Sequence, residues 1–276
     1  MQIDEFWRAL RQSGTYATSS APRRSVYGRL LSSRADFFYY VDEFHVVVSA
    51  YFISLRGRFD RRAWASHALM MLRAAERCGC VATLGGFENI ALARLPVVYV
   101  ANHMSSVETL VRPGALLGFG DVVTVLKQSL HSYPLFGRVV TAVEPIGVTR
   151  RDPREDLREV LAKGEAFLRS GRSVLIFPQA TRAPEFDPAD FNSLGVKLAR
   201  NAGVQVIPVA LKTDFQGIGR WIRDLGPLQR QKPIRIKVGK PLNVEGNGRE
   251  AQEAVVTFIS DTLRSWGATV KEPALH

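Results

Sequence analysis

The spacing of apolar residues at the start of the chain predicts helices separated by a linker. Four apolar residues follow the i, i+3, i+4, i+7 spacing of a helix with one apolar face: Ile3, Phe6, Trp7 and Leu10. Residues 13–25 are rich in Ser, Thr and Ala, a composition typical of a linker. Further apolar helical segments follow, so we expect residues 1–78 to form a region of the type helix, linker, helix, helix.

The apolar part of this region, residues 36–55, is rich in aromatic side chains: Phe37, Phe38, Tyr39, Tyr40, Phe44, Tyr51 and Phe52. Its longest stretch without a charged residue is residues 44–55, which is shorter than the ~20 residues that a helix needs to cross a bilayer. Arginines flank it on both sides: Arg23, Arg24, Arg29 and Arg34 before, and Arg56, Arg58, Arg61 and Arg62 after. Two interpretations stay open, a helix lying in a membrane interface or a buried helix of a globular core.

Between residues 79 and 212, short apolar runs alternate with helical patterns. Runs that are apolar on both faces indicate strands covered on both sides, and therefore an α/β layer structure. The predicted strands are residues 96–101, 121–126, 142–147, 173–177 and 204–211. A helix is expected after Asp152, which can cap it, with Pro153 in its first position.

The last zone of the chain predicts one more strand, residues 234–239, and a final helix that includes residues 255–266. We therefore divide the chain into an N-terminal helical region, residues 1–78, and an α/β domain, residues 79–276.

Charge and cysteine content narrow the function. The 276 residues include 37 Lys and Arg against 26 Asp and Glu, a net charge of +11, so we expect an anionic partner: phosphate groups, nucleic acid or an anionic membrane. The two cysteines, Cys78 and Cys80, are too few for a disulfide framework or a four-ligand zinc site and suit a reducing compartment. The acidic start, with no apolar run after it, predicts that there is no secretory signal.

Motifs of α/β serine hydrolases, P-loop enzymes, Rossmann dehydrogenases and zincins are missing from the sequence. The best candidate for chemistry follows the strand at residues 96–101, where Glu108 comes five residues after His103. A carboxylate on one imidazole nitrogen fixes the tautomer and leaves the other nitrogen to take a proton from an alcohol. The alternative is a helix-capping histidine with a surface glutamate.

Basic residues follow three other predicted strands: Lys127, Arg150 with Arg151, and Arg182. Because the carboxyl ends of parallel strands meet at one edge of a sheet, these charges are candidates for a basic pocket beside His103 that binds a phosphate. The alternative for each is a solvated surface charge.

The order of these segments resembles the glycerophospholipid acyltransferase family, which includes bacterial and plant lysophosphatidate acyltransferases. The counterparts of the family's blocks are Asn102-His103 with Glu108, and residues 147–150, 177–182 and 206–209. Residues 86–89, Lys127 and residues 134–137 also resemble family segments. The resemblance covers residues 79–212 well and the C-terminal zone loosely.

The resemblance implies an α/β fold with a mixed, largely parallel sheet covered by helices, after an N-terminal helical membrane-association region. It implies an O-acyltransferase that moves a fatty acyl group from acyl-CoA or acyl-carrier protein to the free hydroxyl of a lysolipid such as lysophosphatidate, in phospholipid biosynthesis. His103 would be the general base and Glu108 the carboxylate that orients it. The residues implied in phosphate binding are Lys127, Arg150 and Arg182. The other implied acceptor-site residues are Asn102, Phe177, Pro178, Gln179, Ala180 and Thr181. No metal or cofactor is implied beyond the thioester co-substrate.

Three residues depart from the family pattern. Glu108 stands where the family has Asp, and Gln179 and Ala180 stand where it has Glu and Gly. Acyl transfer remains the expected reaction, whereas the acceptor stays open between lysophosphatidate and another lysolipid, for example a lyso-amino-acid lipid. A non-catalytic lipid-binding relative is a further alternative.

The basic residues between positions 220 and 240 also raise the possibility of a nucleic-acid binder. No recognised nucleic-acid module accompanies them, and basic faces also bind anionic lipid. The expected partners are therefore a lysolipid acceptor, an acyl thioester donor and an anionic membrane surface, and not nucleic acid. We expect the protein at the cytoplasmic face of the inner membrane, peripheral or monotopic, with no prediction of oligomeric state.

Overall fold

A mixed sheet lies between two layers of helices in the computed structural model, which describes residues 1–18, 35–179, 181–220 and 225–272. The strands are β1 (Tyr16–Ala17), β2 (Ala82–Gly85), β3 (Val98–Ala101), β4 (Val122–Lys127), β5 (Ile146–Val148), β6 (Ser173–Ile176), β7 (Val206–Lys212) and β8 (Ile234–Val238). The α-helices are α1 (Ile3–Ser13), α2 (Ala35–Leu55), α3 (Arg61–Arg77), α4 (Val107–Leu116), α5 (Phe136–Ala142), α6 (Pro153–Arg169), α7 (Leu194–Ala202) and α8 (Arg249–Ser265).

The strand order across the described sheet is β1-β2-β8-β7-β3-β6-β4-β5. Strands β7, β3, β6, β4 and β5 are mutually parallel, and β8 pairs antiparallel with β7. The expected α/β fold with a mixed, largely parallel sheet is confirmed. The parallel order brings the carboxyl ends of five strands to one edge of the sheet, where α/β proteins place their sites.

Alternate residues of β3 face opposite layers, and both sets are apolar. Val98 and Val100 belong to a buried cluster with Val160 of α6 and Ile259 of α8. Tyr99 and Ala101, two residues apart on the strand, belong to the cluster on the other face. Burial on both sides explains why this strand has no polar alternation in the sequence.

The N-terminal helices pack on the same core as the sheet. Phe6 and Leu10 of α1 and Leu72 of α3 share one buried cluster with Tyr99 of β3 and Ile207 of β7. The expected helices of this region are present, and the division of the chain at residue 78 stays a prediction.

Helix α2 contains the whole aromatic-rich part of this region, residues 36–55, in one helix of 21 residues with two different faces. Tyr39 and Val46 are buried, whereas Phe37 and Phe44 are 65% and 62% exposed. The buried-helix interpretation therefore holds for one face, and the membrane-interface interpretation stays a prediction for the exposed face. No α-helix in the described ranges combines the length and apolar character required to cross a membrane. The arginines at 23, 24, 29 and 34 lie outside the described residues.

The predicted strand at residues 142–147 is wrong in its first half. Residues up to Ala142 belong to α5, and β5 begins only at Ile146. Val139 is buried and Val143 packs against the same small apolar cluster, at the i, i+4 spacing of a helix. Glu144 then takes a positive φ of 48°, which separates the helix from the strand.

Other local expectations have mixed outcomes. The Asp152 side chain accepts hydrogen bonds from the backbone N–H groups of Arg154 and Glu155 and caps α6, as predicted. The predicted linker, residues 13–25, contains the short strand β1. Residues 19–25 of this linker lie outside the described ranges. Strand β2 was not predicted, because its sequence, Ala-Thr-Leu-Gly, lacks the run of large apolar residues that marks β3 and β6.

Cys78 and Cys80 lie at the end of α3 as reduced thiols. Burial raises the pKa of Cys78 to about 11 and that of Cys80 to about 12. Both side chains therefore stay protonated at neutral pH and act as small apolar residues.

Candidate active site

Asn102 fixes the position where β3 ends and the site begins. Its side chain is fully buried, donates from Nδ2 to the Leu211 carbonyl and accepts at Oδ1 from the Leu211 N–H, both at 2.8 Å. The amide thus continues the pairing of β3 with β7 by one residue after the strand has ended. This contact holds the next residue, His103, at the carboxyl edge of the sheet.

His103 contacts Glu108, as the sequence spacing predicts. The distance from His103 Nδ1 to Glu108 Oε2 is 3.1 Å, and the histidine side chain is 14% exposed while the glutamate is fully buried. Because a carboxylate only accepts hydrogen bonds, Nδ1 donates and Nε2 is the nitrogen with a lone pair. The alternative of a surface glutamate is wrong.

The second oxygen of Glu108 is held by three donors. Oε1 accepts from the backbone N–H groups of Met104 and Ser105, at 2.5 and 2.8 Å, and from the Thr213 hydroxyl at 2.6 Å. Glu108 lies in the first turn of α4, where backbone N–H groups and the helix dipole favour a carboxylate. These contacts leave one carboxylate oxygen directed at the imidazole.

The loop after β6 supports the histidine from its other side. The rings of His103 and Phe177 lie 4.4 Å apart with an interplanar angle of 32°. Gln179 is buried, and its Oε1 accepts from the His103 backbone N–H at 2.8 Å. The buried Pro178 is anchored through its carbonyl, which accepts from the Asn192 side-chain amide. Two strand-end loops therefore meet at one imidazole.

The remaining residues of this loop differ in placement. Thr181 is exposed and Arg182 is half-buried, while Ala180 lies outside the described residues. The Ala183 N–H donates to the His103 carbonyl at 3.1 Å, which ties the end of the loop to the histidine as well. Arg182 therefore directly precedes a residue whose backbone is hydrogen-bonded to His103.

Arg150 follows β5 in a backbone conformation with a positive φ of 59°. The Asp156 carboxylate of α6 holds this turn by accepting from the backbone N–H groups of Thr149 and Arg150, each at 2.7 Å. Partial burial of the guanidinium lowers the pKa of Arg150. The negative charge of Asp156 raises this pKa, and the positive charge of Arg182 lowers it further. Arg150 follows β5 and Arg182 follows β6, so both come after the carboxyl ends of parallel strands, at the edge of the sheet where His103 lies.

Lys127 is the last residue of β4 and is exposed. It lies opposite Val148 of β5, two residues before Arg150. The structure therefore puts Lys127 at the same edge of the sheet. The described residues contain no group of three or more His, Cys, Asp or Glu that could hold a metal ion.

Sequence reasoning missed Thr213, which binds the same carboxylate oxygen as the α4 backbone. Thr213 comes directly after β7, the neighbour of β3. The rule that identified His103 and Arg150, a polar residue immediately after a buried strand, could have found it.

Comparisons with known proteins agree with this geometry. The sequence model of the family described as Acyltransferase matches residues 83–212. A 1-acyl-sn-glycerol-3-phosphate acyltransferase of Pseudomonas aeruginosa is 29% identical over 212 residues, covering 75% of this chain and 78% of that protein. Residues 83–212 form an acyltransferase domain, and the relatives it matches are glycerophospholipid acyltransferases. Within this acyltransferase, the pair His103 and Glu108 and the basic residues Lys127, Arg150 and Arg182 all fall inside the matched range.

A plant relative and a solved bacterial structure are also similar to this chain. A chloroplastic 1-acyl-sn-glycerol-3-phosphate acyltransferase of Arabidopsis thaliana is 29% identical over 162 residues, which is 57% of this acyltransferase but 42% of the plant protein. The crystal structure of the 1-acyl-sn-glycerophosphate acyltransferase of Thermotoga maritima superimposes with a TM-score of 0.62 at 20% identity, covering 88% of this chain and 99% of that one. At this identity the superposition establishes a shared fold.

Proposed function

We propose that this acyltransferase moves a fatty acyl group from an acyl thioester, acyl-CoA or acyl-carrier protein, to the free hydroxyl of lysophosphatidate in phospholipid biosynthesis. The observation that carries the proposal is the contact between His103 Nδ1 and the buried Glu108 at the edge of the sheet that also holds Arg150 and Arg182. A base for the hydroxyl of the acceptor and cations for its phosphate therefore lie at the same edge of the sheet.

The proposed reaction is direct transfer. Nε2 of His103 removes the proton of the acceptor hydroxyl as its oxygen attacks the thioester carbonyl carbon. The tetrahedral intermediate collapses, the carbon–sulfur bond breaks, and the leaving thiolate takes the proton from the imidazolium. Glu108 keeps the tautomer and stabilises the charge that develops on the ring.

The acceptor is assigned by its charge. Arg150 and Arg182 both follow strands that end at the edge carrying His103, and guanidinium groups bind phosphate oxygens in pairs. Lys127 at the end of β4 would add a third cation. The Pseudomonas and Arabidopsis relatives are named for a 1-acyl-glycerol-3-phosphate acceptor, which fits this assignment.

The acceptor is a membrane lipid, and α2 offers a surface for reaching it. Six large apolar side chains on one face of this helix are exposed, here called the apolar face of α2: Phe37, Phe38, Val41, Phe44, Phe52 and Leu55. Exposed Arg56 and Arg58 follow the helix and would meet anionic headgroups. We place the protein as a peripheral protein at the cytoplasmic face of the inner membrane, where thioester donors are available.

His103→Gln tests the proposed base. We expect transfer from acyl-CoA to lysophosphatidate to fall by at least about a hundredfold, in the range of a lost general base, with an unchanged circular dichroism spectrum. His131→Gln, which removes an exposed histidine bonded to Thr141, is the matched control and should retain activity. Wild-type turnover in His103→Gln would overturn the mechanism. Product from other lysolipids but none from lysophosphatidate would overturn the acceptor assignment.

A further inference from the structure

A chain of hydrogen bonds connects α2 to the loop between His103 and Glu108. The Ser106 hydroxyl donates to Gln216 Oε1 at 3.0 Å, and Gln216 Nε2 donates to the Tyr40 hydroxyl oxygen at 3.3 Å. The Tyr40 hydroxyl in turn donates to the Gly226 carbonyl. Ser106 lies between the two catalytic candidates in sequence, and Tyr40 lies on α2, so two polar side chains span the distance from helix to loop.

Gln216 occupies a place that suits this link. It is almost completely buried, three residues after Thr213, whose hydroxyl holds Glu108. Its backbone N–H donates to the Thr213 carbonyl. A buried side-chain amide that is hydrogen-bonded through both its oxygen and its nitrogen is held in one orientation. A displacement of the partner on one side therefore displaces the partner on the other side.

The inner face of α2 is clamped to the same segment at two more points. The Asp36 carboxylate accepts from the Leu228 N–H at 3.2 Å and from the Arg230 guanidinium at 2.8 Å. The Tyr39 ring lies 5.9 Å from that of Phe215, edge to face. The helix therefore cannot change its angle to the sheet without moving Phe215 and residues 226–230.

We propose that Tyr40 and Gln216 are positioning residues that transmit the docking of α2 on a membrane to the catalytic loop. The inference rests on the proposed function, because it takes the apolar face of α2 as the membrane contact. Binding to lipid fixes the orientation of α2. The side chains of Tyr40 and Gln216 on its inner side then become ordered. Gln216 in turn holds Ser106, which lies in the loop that orients His103. Neither residue touches the reacting atoms.

Adjacent tyrosines supply a matched pair of variants. Tyr40→Phe removes the hydroxyl that accepts from Gln216, whereas Tyr39→Phe removes a buried hydroxyl that has no hydrogen-bond partner among the described residues. Gln216→Leu breaks the link from its other side. Both tyrosine variants keep their rings, so a difference between them reports on the hydrogen bonds of the Tyr40 hydroxyl and not on packing, and agreement with Gln216→Leu assigns the effect to the bond with Gln216.

Hydrogen–deuterium exchange with and without phosphatidylethanolamine–phosphatidylglycerol vesicles tests the coupling without relying on activity. In the wild type and in Tyr39→Phe, vesicles should slow exchange both in α2 and in a peptide covering residues 103–108. In Tyr40→Phe and Gln216→Leu, we expect protection of α2 alone. Protection of residues 103–108 in Tyr40→Phe equal to that in Tyr39→Phe would overturn the coupling, and so would the absence of protection of α2 in the wild type.

A kinetic measurement completes the test. With lysophosphatidate in vesicles, Tyr40→Phe should lower kcat about tenfold at an unchanged KM, since a small displacement of a catalytic group has effects of this size. Equal kcat values for Tyr40→Phe and Tyr39→Phe would contradict the inference. If the exchange pattern is as expected but the wild type transfers no acyl group to any lysolipid, the coupling stands and the proposed function fails.

Discussion

A fully buried carboxylate such as Glu108 is tolerated only when its oxygens are hydrogen-bonded. The backbone of the Met104–Ser105 turn and the Thr213 hydroxyl satisfy Oε1, and His103 satisfies Oε2. The carboxylate therefore cannot rotate away from the imidazole without leaving buried donors unpaired, at about 1–3 kcal/mol for each. This fixed geometry is what a base needs before the substrate arrives.

Gln179→Glu tests how charge near this base affects it. A carboxylate oxygen can still accept from the His103 N–H, but its negative charge stabilises the protonated imidazole, which cannot act as a base. We expect the acid limb of the kcat/KM–pH profile to move to higher pH by about one unit. The measurement is the rate of acyl transfer across a pH series.

Gln205→Glu makes the same change of charge just before β7, at the opposite edge of the sheet from His103. Its pH profile should match that of the wild type. Superimposable profiles for Gln179→Glu and Gln205→Glu would show that position 179 does not influence the base.

At the scale of elements, the site depends on strand ends more than on any single motif. Asn102 extends the pairing of β3 and β7, and Asp156 fixes the turn after β5. Apolar runs in the sequence predicted the strands β3 and β6, and polar residues after them predicted the edge that carries the site. Side-chain contacts between distant segments, such as that of Asn102 with Leu211, follow from tertiary packing and have no local signal.

Asn102→Ala should therefore weaken the pairing of β3 with β7. The variant leaves the Leu211 N–H and carbonyl without partners in a buried position, and we expect a loss of about 2–4 kcal/mol in the free energy of unfolding. The urea midpoint of the circular dichroism signal measures it. Asn243→Ala, which removes an exposed contact with Gln205, should change the free energy by less than about 0.5 kcal/mol. Equal midpoints for the two variants would contradict the role given to Asn102.

At the scale of the whole molecule, the sequence indicated the layers but not how its N-terminal region joins them. The spacing of Ile3, Phe6 and Leu10 predicted a helix correctly, yet nothing in the spacing shows that this helix packs on the core of the sheet. The same limit applies to α2, which is apolar on all sides, so that periodicity cannot separate its buried face from its exposed one. Tertiary packing distinguishes them: Tyr39 and Tyr40 contact Phe215 and Gly226, and Val46 and Ala50 lie in apolar clusters.

The exposed side of α2 leads to a prediction for the entire protein. Burying a phenylalanine side chain in an apolar environment contributes about 1.5–3 kcal/mol, so the pair Phe37→Ser and Phe44→Ser should weaken binding to anionic vesicles by at least about a hundredfold. Leu92→Ser is the matched control, because Leu92 and Phe37 are each 65% exposed but lie on different elements. Co-flotation with vesicles measures the binding, and turnover of a short-chain soluble lysolipid should stay at the wild-type level in both variants because the His103–Glu108 pair is untouched. Vesicle binding by the double variant equal to that of Leu92→Ser would exclude α2 as the membrane contact.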